Sequence, residues 1–519
     1  MTDPLLWSLL AVQILLGLVD TLYHHELTQR LAWRGSQRRE LALHGSRNLL
    51  YAGLFLTLAW LQPRGIWAMV LIAVLLAESL ITLWDFVEED RTRSLPASER
   101  VLHSLMAINF GAILVLLLPL LFAWAGAESA LPPVSYGLWS LFLTAAALGV
   151  FLFGLRDLMA ARRAPALRSD DPQEIWEGGL WDGGLWDGGG TRRHILVTGG
   201  TGFIGRRLIA ALVARGQAVT LLTRDARRAA TLPTPLRIVT DLDQIDAGER
   251  IDAIVNLAGE PVASGLWTAK KKRRILRSRQ KGTRRVIALI ARLTRKPEVL
   301  VNASAIGWYG LRGDEKLRET DDGRPCFTQE VCSAWEREVL KARAQGVRVV
   351  RLRIGLVLGH EGGLLASLLP SFEFGLGARL GDGQQWMSWI ERDDLVRLIL
   401  LAIADRSLAG AVNGTAPNPA RNRDFTKALG RALGRPAVLV APARPLRILL
   451  GDFAEEVLLG GQRVLPAKAE AHGFVFRHPR LDGALEKALG RQLSWRGRET
   501  SIKAIRQGHG QNTVNREMF

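Results

Sequence analysis

Two sets of residues in this chain have the types and spacing that chemistry needs. The first is the run Thr198-Gly199-Gly200-Thr201-Gly202-Phe203-Ile204-Gly205, in which Gly199, Gly202 and Gly205 recur at every third position. That spacing lets one glycine turn tightly, one admit a phosphate close to the backbone, and one pack helix against strand. Strand-forming residues 194–197 precede the run and an amphipathic stretch, 206–215, follows it. In that context the run reads as a dinucleotide turn with the pyrophosphate on a helix N-terminus. The next strand, 218–223, leads into Arg224. An acidic residue there would hold a ribose 2′-hydroxyl, whereas a cation suits a 2′-phosphate, so the expected cofactor is NADP(H). Asp225, one position later, keeps NAD open as the minor reading; Arg227 and Arg228 either assist or line an exposed helix face. A later strand, 251–256, runs into Leu257-Ala258-Gly259, where small residues allow the backbone to approach the same ligand.

The second set is a group of histidines and carboxylates in the first fifth of the chain. Asp20 and His24 are four apart, as are Glu40 and His44, so each pair can share a helix face. Glu78, Asp85 and Glu89 follow at helical spacings, and His103 opens the next apolar stretch. Histidine and carboxylate from several facing helices build the metal sites of helical bundles. Asp20, His24, Glu40, His44, Glu78, Asp85 and His103 are therefore candidate metal ligands. The strict Glu-x-x-His spacing of carboxylate-bridged bundles is absent. The competing reading is an interfacial belt in which these groups pair with nearby arginines, and His25 and Glu26 fit either.

The elements that must carry these residues differ sharply in composition. The chain has 519 residues, 48% of them hydrophobic, which excludes wholesale disorder. Its two cysteines, Cys326 and Cys332, exclude a disulfide scaffold. Residues 1–160 hold 10 Arg and no Lys against 12 Asp+Glu, a net of −2, which leaves +20 of the total +18 to the remainder. The first part has five apolar stretches, 5–20, 49–61, 66–84, 105–124 and 138–155, which approach the length of membrane spans. The alternative is four spans with the second segment re-entrant or interfacial. Arginines between spans one and two, between three and four, and after five place the N-terminus outside and the remainder in the cytoplasm.

Residues 161–192 repeat Trp-acid-Gly-Gly with Trp176, Trp181 and Trp186 in register. They read as a flexible tether lying on the membrane surface. Strand–helix alternation from 193 to 435 gives a doubly wound, mostly parallel α/β sheet of Rossmann type, followed by a small C-terminal region, 436–490. The expected fold class is thus an α-helical membrane domain joined to that sheet and its cap. The basic tail 491–519 reads as disordered. The basic run at 270–274, with Arg277 and Arg279, has no nucleic-acid motif beside it, and an anionic membrane surface accounts for such charge. The expected partners are membrane lipid and a small, lipophilic substrate, with no nucleic acid.

Several longer motifs point further. Besides the glycine run, the chain carries N-L-A-G-E-P at 256–261, W-T-x-K from Trp267 and S-R-x-x-G-T at 278–283. It also carries A-S-A-I-G-W-Y-G at 303–310, Q-W-M-S-W-I at 385–390, G-Q-R-V-L-P at 461–466 and G-F-x-F-R-x-P at 473–479. Together these resemble extended short-chain dehydrogenases/reductases of the atypical epimerase family, its cell-division-inhibitor-like branch, including the domain of unknown function that closes those proteins. The resemblance implies nucleotide-dependent chemistry. The Tyr-x-x-x-Lys pair that such enzymes use for proton transfer is absent, since no tyrosine follows Tyr309. The substitutes that the resemblance implies are Ser304, at the end of a strand, Tyr309 in the following loop, and Glu336 on the helix where the pair would sit. Ligands of open α/β sheets bind beyond the carboxyl ends of the strands, which favours Ser304 and Tyr309 over Glu336. Asp393 and Asp394 read as helix caps. The expected function is an NADP(H)-dependent oxidoreductase or epimerase at the membrane; the alternative is a non-catalytic NADP sensor or scaffold.

Overall fold

The computed structural model describes residues 3–93, 95–167, 171–178, 180, 181, 186, 192–263 and 265–490. The chain divides into two compact units, Met1–Ser169 and Asp170–Phe519. The first is helical: α1 (Pro4–Val19), α2 (Arg38–Trp60), α3 (Ile66–Thr92), α4 (Ala97–Ala125) and α5 (Leu138–Leu167). Asp3 caps α1 by accepting the Leu5 N–H, with proline at the first helical turn, where its missing N–H costs nothing. Beyond Val19 the helix widens into a π-helical segment, Asp20–Gln29, which ends at Arg30 in the left-handed region with φ of 52°.

Leu6, Trp7, Leu58, Leu71, Leu117, Leu121 and Leu143 fill the core of this unit. Large apolar side chains also face outward, Leu76, Leu83, Val115 and Leu148 each by more than half of their surface. Four helical stretches are long and apolar enough to cross a membrane: Pro4–Trp33, Ile66–Thr92, Ala97–Ala125 and Leu138–Pro165. Among the described residues these cover four of the five expected spans; the second, 49–61, falls on α2, the segment that the four-span alternative sets apart. Helix α2 has the length, at 23 residues, but Arg38, Arg39, Glu40 and Arg47 dilute its apolar character.

In the second unit seven parallel strands form one sheet. They are β1 (His194–Thr198), β2 (Ala218–Leu222), β3 (Arg237–Val239), β4 (Ala253–Asn256), β5 (Val299–Ala305), β6 (Arg348–Ile354) and β7 (Gly410–Gly414). Their order is β7-β6-β5-β4-β1-β2-β3. The chain reverses its winding between β1 and β4, and the crevice at the carboxyl ends of those two strands is where such sheets bind ligands. Near-continuous apolar burial along β1, β4 and β5 is what a sheet covered on both faces requires. The covering helices include α6 (Phe203–Ala214), α7 (Ala269–Arg292) and α8 (Phe327–Leu340). Helix α9 (Gly363–Glu373) follows, and α10 (Arg392–Ala404) is buried along its whole length. The C-terminal region joins this body by short parallel pairings, Arg463–Val464 with Lys316–Leu317 and Leu439–Ala441 with Ala378–Leu380.

Three expectations are corrected here. Trp176, Trp181 and Trp186 do not form a surface tether; they are buried in the core of the α/β unit against Leu208, Ala211 and Leu212 of α6. The five-residue repeat returns an indole to one cluster, with centroids 5.0 and 5.3 Å apart, and the Trp176 N–H donates to the Ala211 carbonyl. Helix α6 starts at Phe203, three residues earlier than its amphipathic pattern indicates, because Gly202 is its extended N-cap. Glu391, not Asp393 or Asp394, caps α10 by accepting both of their N–H groups. Asp393 instead pairs with Arg207 at 2.7 Å, and Asp394 accepts the backbone N–H groups of Arg477 and His478. The basic tail lies outside the described residues.

Candidate functional site

The glycine run forms a cradle between β1 and α6. Gly199 has φ of +71°, and a Cβ there would meet Ala258 N and the Leu257 carbonyl carbon at 2.8 Å. Gly205 lies on the Gly199 carbonyl, 2.5 Å from where its own Cβ would be. Both positions therefore exclude a side chain, one by conformation and one by contact. The open first turn of α6, Phe203-Ile204-Gly205, has N–H groups without intrahelical partners, which is the anion site that a pyrophosphate needs. Leu257-Ala258-Gly259 forms the other lip, and the Leu257 N–H donates to the Thr198 carbonyl. The residues present fit a dinucleotide.

Beneath the lips runs a ladder of buried amides and hydroxyls that the sequence reading missed. Thr198 Oγ1 donates to Asn256 Oδ1 at 2.6 Å, and Asn256 Nδ2 donates to Asn302 Oδ1 at 2.6 Å and to Thr283 Oγ1 at 3.2 Å. Adjacent parallel strands carry these polar residues at paired register positions, Thr198 opposite Asn256 and Asn256 opposite Asn302. Polar residues ending otherwise apolar strands were the available signal. The S-R-x-x-G-T motif works alongside: Ser278 Oγ accepts the Glu260 N–H, and Arg279 Nη1 donates to the Glu260 carbonyl. Arg279 is buried over Trp335, and Lys271 is buried against Glu260, so part of the basic run is internal rather than membrane-facing.

Arg224 stands exposed just beyond the end of β2. Among the described residues it has no ion-pair partner. Asp225 is committed locally: its carboxylate accepts the Arg227 N–H and faces Arg228 Nε at 3.5 Å. The competing acidic residue is thus turned into its own loop.

The three candidates for proton transfer come together in one buried network. Ser304 Oγ donates to Glu336 Oε1 at 2.8 Å. The same carboxylate accepts from Arg353 Nε at 3.0 Å and, on its other oxygen, from Arg351 at 2.8 Å. Arg353 also donates to Tyr309 Oη at 3.1 Å, and that hydroxyl donates to Asn413 Oδ1 at 2.7 Å. Ser304, Tyr309 and Glu336 are all at most 3% exposed. The sequence reading set Ser304 and Tyr309 apart from Glu336 by strand position; the structure brings the three together, because α8 lays Glu336 against β5 and β6. Burial pushes the Tyr309 phenol up to about 12, with neighbouring Arg353 only partly opposing it. Burial, with Glu336 adding, lifts the Cys332 thiol to about 11, which leaves no nucleophile there. Cys326, also raised by burial, lines a cavity of about 510 Å³ with Glu330, Ser333 and Arg337. In the 385–390 motif Trp386 lies between Arg421 and Arg463, and Ser388 Oγ donates to the Gln462 carbonyl, which fastens the C-terminal region.

In the helical unit the structure regroups the candidate metal ligands. Asp20, His25, Glu99 and His103 can each place a ligand atom within 4.8 Å of the others, as can His25, His44 and Glu89. His24, Glu40, Glu78 and Asp85 fall outside both groups. His24 Nδ1 bonds Asp20, Glu40 accepts from Arg93, Glu78 accepts from Tyr51 and Thr82, and Asp85 faces His44 and Arg47. Glu99 was missed because it lies on the polar turn that opens α4, where acids also serve as ordinary helix-start residues.

The sheet order and the glycine cradle define the second unit as a Rossmann-type α/β protein. Family comparison agrees: the NAD dependent epimerase/dehydratase family matches residues 195–413, and the domain of unknown function DUF1731 matches 441–488. A chloroplastic epimerase family protein, the SDR39U1 homolog of Arabidopsis thaliana, is 41% identical over 302 residues, 57% of this chain and 86% of that protein. An epimerase family protein of Mycobacterium leprae is 39% identical over 299 residues, 57% of this chain and 96% of that one. The crystal structure of human epimerase family protein SDR39U1 with NADPH superposes with a TM-score of 0.52 at 31% identity, over 58% of this chain and 100% of that one. The nucleoside-diphosphate sugar epimerase of Corynebacterium glutamicum gives 0.51 at 30% identity, over 66% of this chain and 67% of that one. This chain belongs to the epimerase family, with a SDR39U1-like Rossmann domain closed by DUF1731. Neither family model reaches the helical unit.

Proposed function

We propose that this protein is a membrane-anchored, NADP(H)-binding oxidoreductase or epimerase-like enzyme that acts at the cytoplasmic membrane face on a small, lipophilic substrate. The observation that carries the cofactor choice is Arg224, an exposed guanidinium at the end of β2 with its acidic neighbour Asp225 turned away. A 2′-phosphate would give Arg224 a charge-assisted partner. The human relative crystallised with NADPH supports the same choice. When bound, the nicotinamide supplies or accepts hydride. The glycine cradle holds the pyrophosphate, and Ser304, Tyr309 and Glu336 are the groups able to hold or move a proton at a substrate oxygen. Membrane anchoring rests on the four long apolar helices and their outward-facing leucines.

The test is binding of NADPH and NADH to the full chain in lipid nanodiscs. Arg224→Ala should weaken NADPH by about 10- to 100-fold, as loss of a hydrogen bond to a charged group costs about 1.5–3 kcal/mol, and leave NADH unchanged. Equal loss for both nucleotides, or none, overturns the NADP assignment. Protection of the α/β unit from added protease in sealed right-side-out vesicles checks its cytoplasmic placement.

One observation favours a second reading, a non-catalytic NADP sensor or scaffold: all three proton-transfer candidates are buried and engaged with one another. NADPH oxidation that appears on adding a membrane extract supports the enzyme; tight binding without turnover supports the sensor.

A further inference from the structure

The interior of the helical unit is charged where a bundle of apolar helices would be expected to be dry. Asp20, Glu40, Asp85, Glu89 and Glu99 are each at most 3% exposed. Two guanidinium groups reach four of them, Arg93 at Glu40, Glu89 and Glu99 and Arg47 at Asp85, while Asp20 faces His24, His25 and His103. With Glu78, also 3% exposed and held by the Tyr51 and Thr82 hydroxyls, six acids stand against two fixed cations. Buried charge of that kind is met by protons, on the acids or on the imidazoles, or by a bound cation.

The geometry distinguishes these two. His25 Nε2 lies 3.4 Å from Asp20 Oδ2 and 3.7 Å from Glu99 Oε1, and it hydrogen-bonds neither. His103 Nε2 lies 3.1 Å from the same Asp20 oxygen. Ligand atoms about 2.0–2.1 Å from a tetrahedral ion stand about 3.3 Å from one another, and these three separations lie near that value, with all four ligand atoms within 4.8 Å of one another. His25 and His44 stack face to face, centroids 4.6 Å apart and planes 3° from parallel. Two stacked imidazolium ions would repel, so His25 and His44 are poorly placed to take up a proton each, whereas His24 and His103 face Asp20 from outside the stack. His44 Nδ1 and Glu89 Oε2 have no hydrogen-bond partner among the described residues.

Local backbone supports the same arrangement. In an α-helix residues five apart diverge by about 140° around the axis, so Asp20 and His25 would face different ways. The π-helical segment Asp20–Gln29 brings them to one side, and such segments concentrate at functional sites. Outer partners hold the ligands in place: His24 Nδ1 binds the second Asp20 oxygen at 2.9 Å, and Arg93 grips both oxygens of Glu99. Asp20, His25, His44 and His103 line a cavity of about 580 Å³ together with Arg47, Glu78 and apolar side chains such as Phe110 and Val150.

We propose that the helical unit binds a divalent first-row transition metal ion, of the iron, manganese or zinc class, on Asp20, His25, Glu99 and His103, three of which line the cavity. Mixed imidazole and carboxylate donors suit those ions. His44 and Glu89 stand beside the ion and share His25 with it. The reading is independent of the nucleotide site.

The test loads the chelator-stripped full chain in nanodiscs with Fe(II), Mn(II), Zn(II) or Co(II), removes free ion and measures bound metal by mass spectrometry. The expected result is about one ion per chain in the wild type, a loss of more than tenfold in His25→Ala and His103→Ala, and retention in Glu78→Gln. The Co(II) form should show visible ligand-field absorption that the near-isosteric Asp20→Asn weakens, a readout that stands if the alanine variants misfold. Wild-type protein that retains no ion from any of the four solutions, or His103→Ala that retains as much as wild type, overturns the proposal.

Discussion

The two units each bury a polar cluster, and the clusters are built on opposite plans. In the α/β unit Glu336 has every oxygen engaged, by Ser304, Arg351 and Arg353, and Tyr309 is held between Arg353 and Asn413. One carboxylate there meets two guanidinium groups. In the helical unit four carboxylates share two, Asp20 faces only imidazoles among the described residues, and His25 Nε2, His44 Nδ1 and Glu89 Oε2 are left without hydrogen bonds. A closed network of the first kind fixes a fold, because its acid is met at both oxygens and only Arg351 Nε among its members is left without a hydrogen bond. An open one of the second kind is costly as it stands and acquires its compensation from a ligand. Burial alone does not distinguish a structural cluster from a binding site; the balance of charges and partners does.

The largest effect should come from breaking the closed network. Glu336→Ala leaves Arg351 and Arg353 facing one another without a counter-charge, and removing one partner of a buried pair costs about 3–5 kcal/mol. Hydrogen exchange of the β5 and β6 amides in the full chain reads that loss locally. Protection that survives in Glu336→Ala while turnover disappears would assign Glu336 to chemistry and break the comparison.

Next in size is a pH effect at Tyr309. Its folded-state pKa, pushed up to about 12, lies above the ordinary value near 10. A raised acid of this kind stabilises the fold fully below pH 10 and loses that contribution as pH rises from 10 through 12. Two units correspond to about 2–3 kcal/mol. Tyr309→Phe has no such term, so wild-type protection in β5 should fall relative to the variant across that window. Parallel pH profiles for the two proteins would mean that the phenol ionises freely, which its closed surroundings do not allow.

These contrasts also explain what the sequence disclosed. The parallel sheet and the phosphate cradle were legible because glycine spacing between strand and helix has few other uses. The family motifs fell on the residues that pin the loops, Ser278, Arg279, Ser388 and Gln462 among them. The tryptophan repeat misled because an indole every five residues has no helical or strand period, and its glycines look like slack chain; only the face of α6 shows what the indoles cover. In the helical unit the i, i+4 reasoning found Asp20 with His24 and Glu40 with His44. It passed over the pairing of Asp20 with His25 because five-residue spacing converges only in a π turn. No sequence pattern announced that turn.

The smallest effect has the most informative sign. Glu89 is one of three carboxylates on Arg93, and its other oxygen, Oε2, has no hydrogen bond. If the helical cluster is overcharged without a bound cation, then neutralising one acid relieves repulsion among the rest. Glu89→Gln should leave the chelator-treated protein as stable as wild type or more stable by about 1 kcal/mol, since Arg93 keeps Glu40 and Glu99 as counter-charges and one acid fewer repels them. Glu336→Gln in the α/β unit should lower stability, because there the acid is the minority charge. The paired measurement is hydrogen exchange of α3 and α4 for the first variant and of β5 for the second, each in the full chain. Opposite signs uphold the distinction between a closed network and an open one. A loss of protection in both would mean that the imidazoles already carry the missing charge, and that the helical cluster is closed by protons rather than by a metal ion.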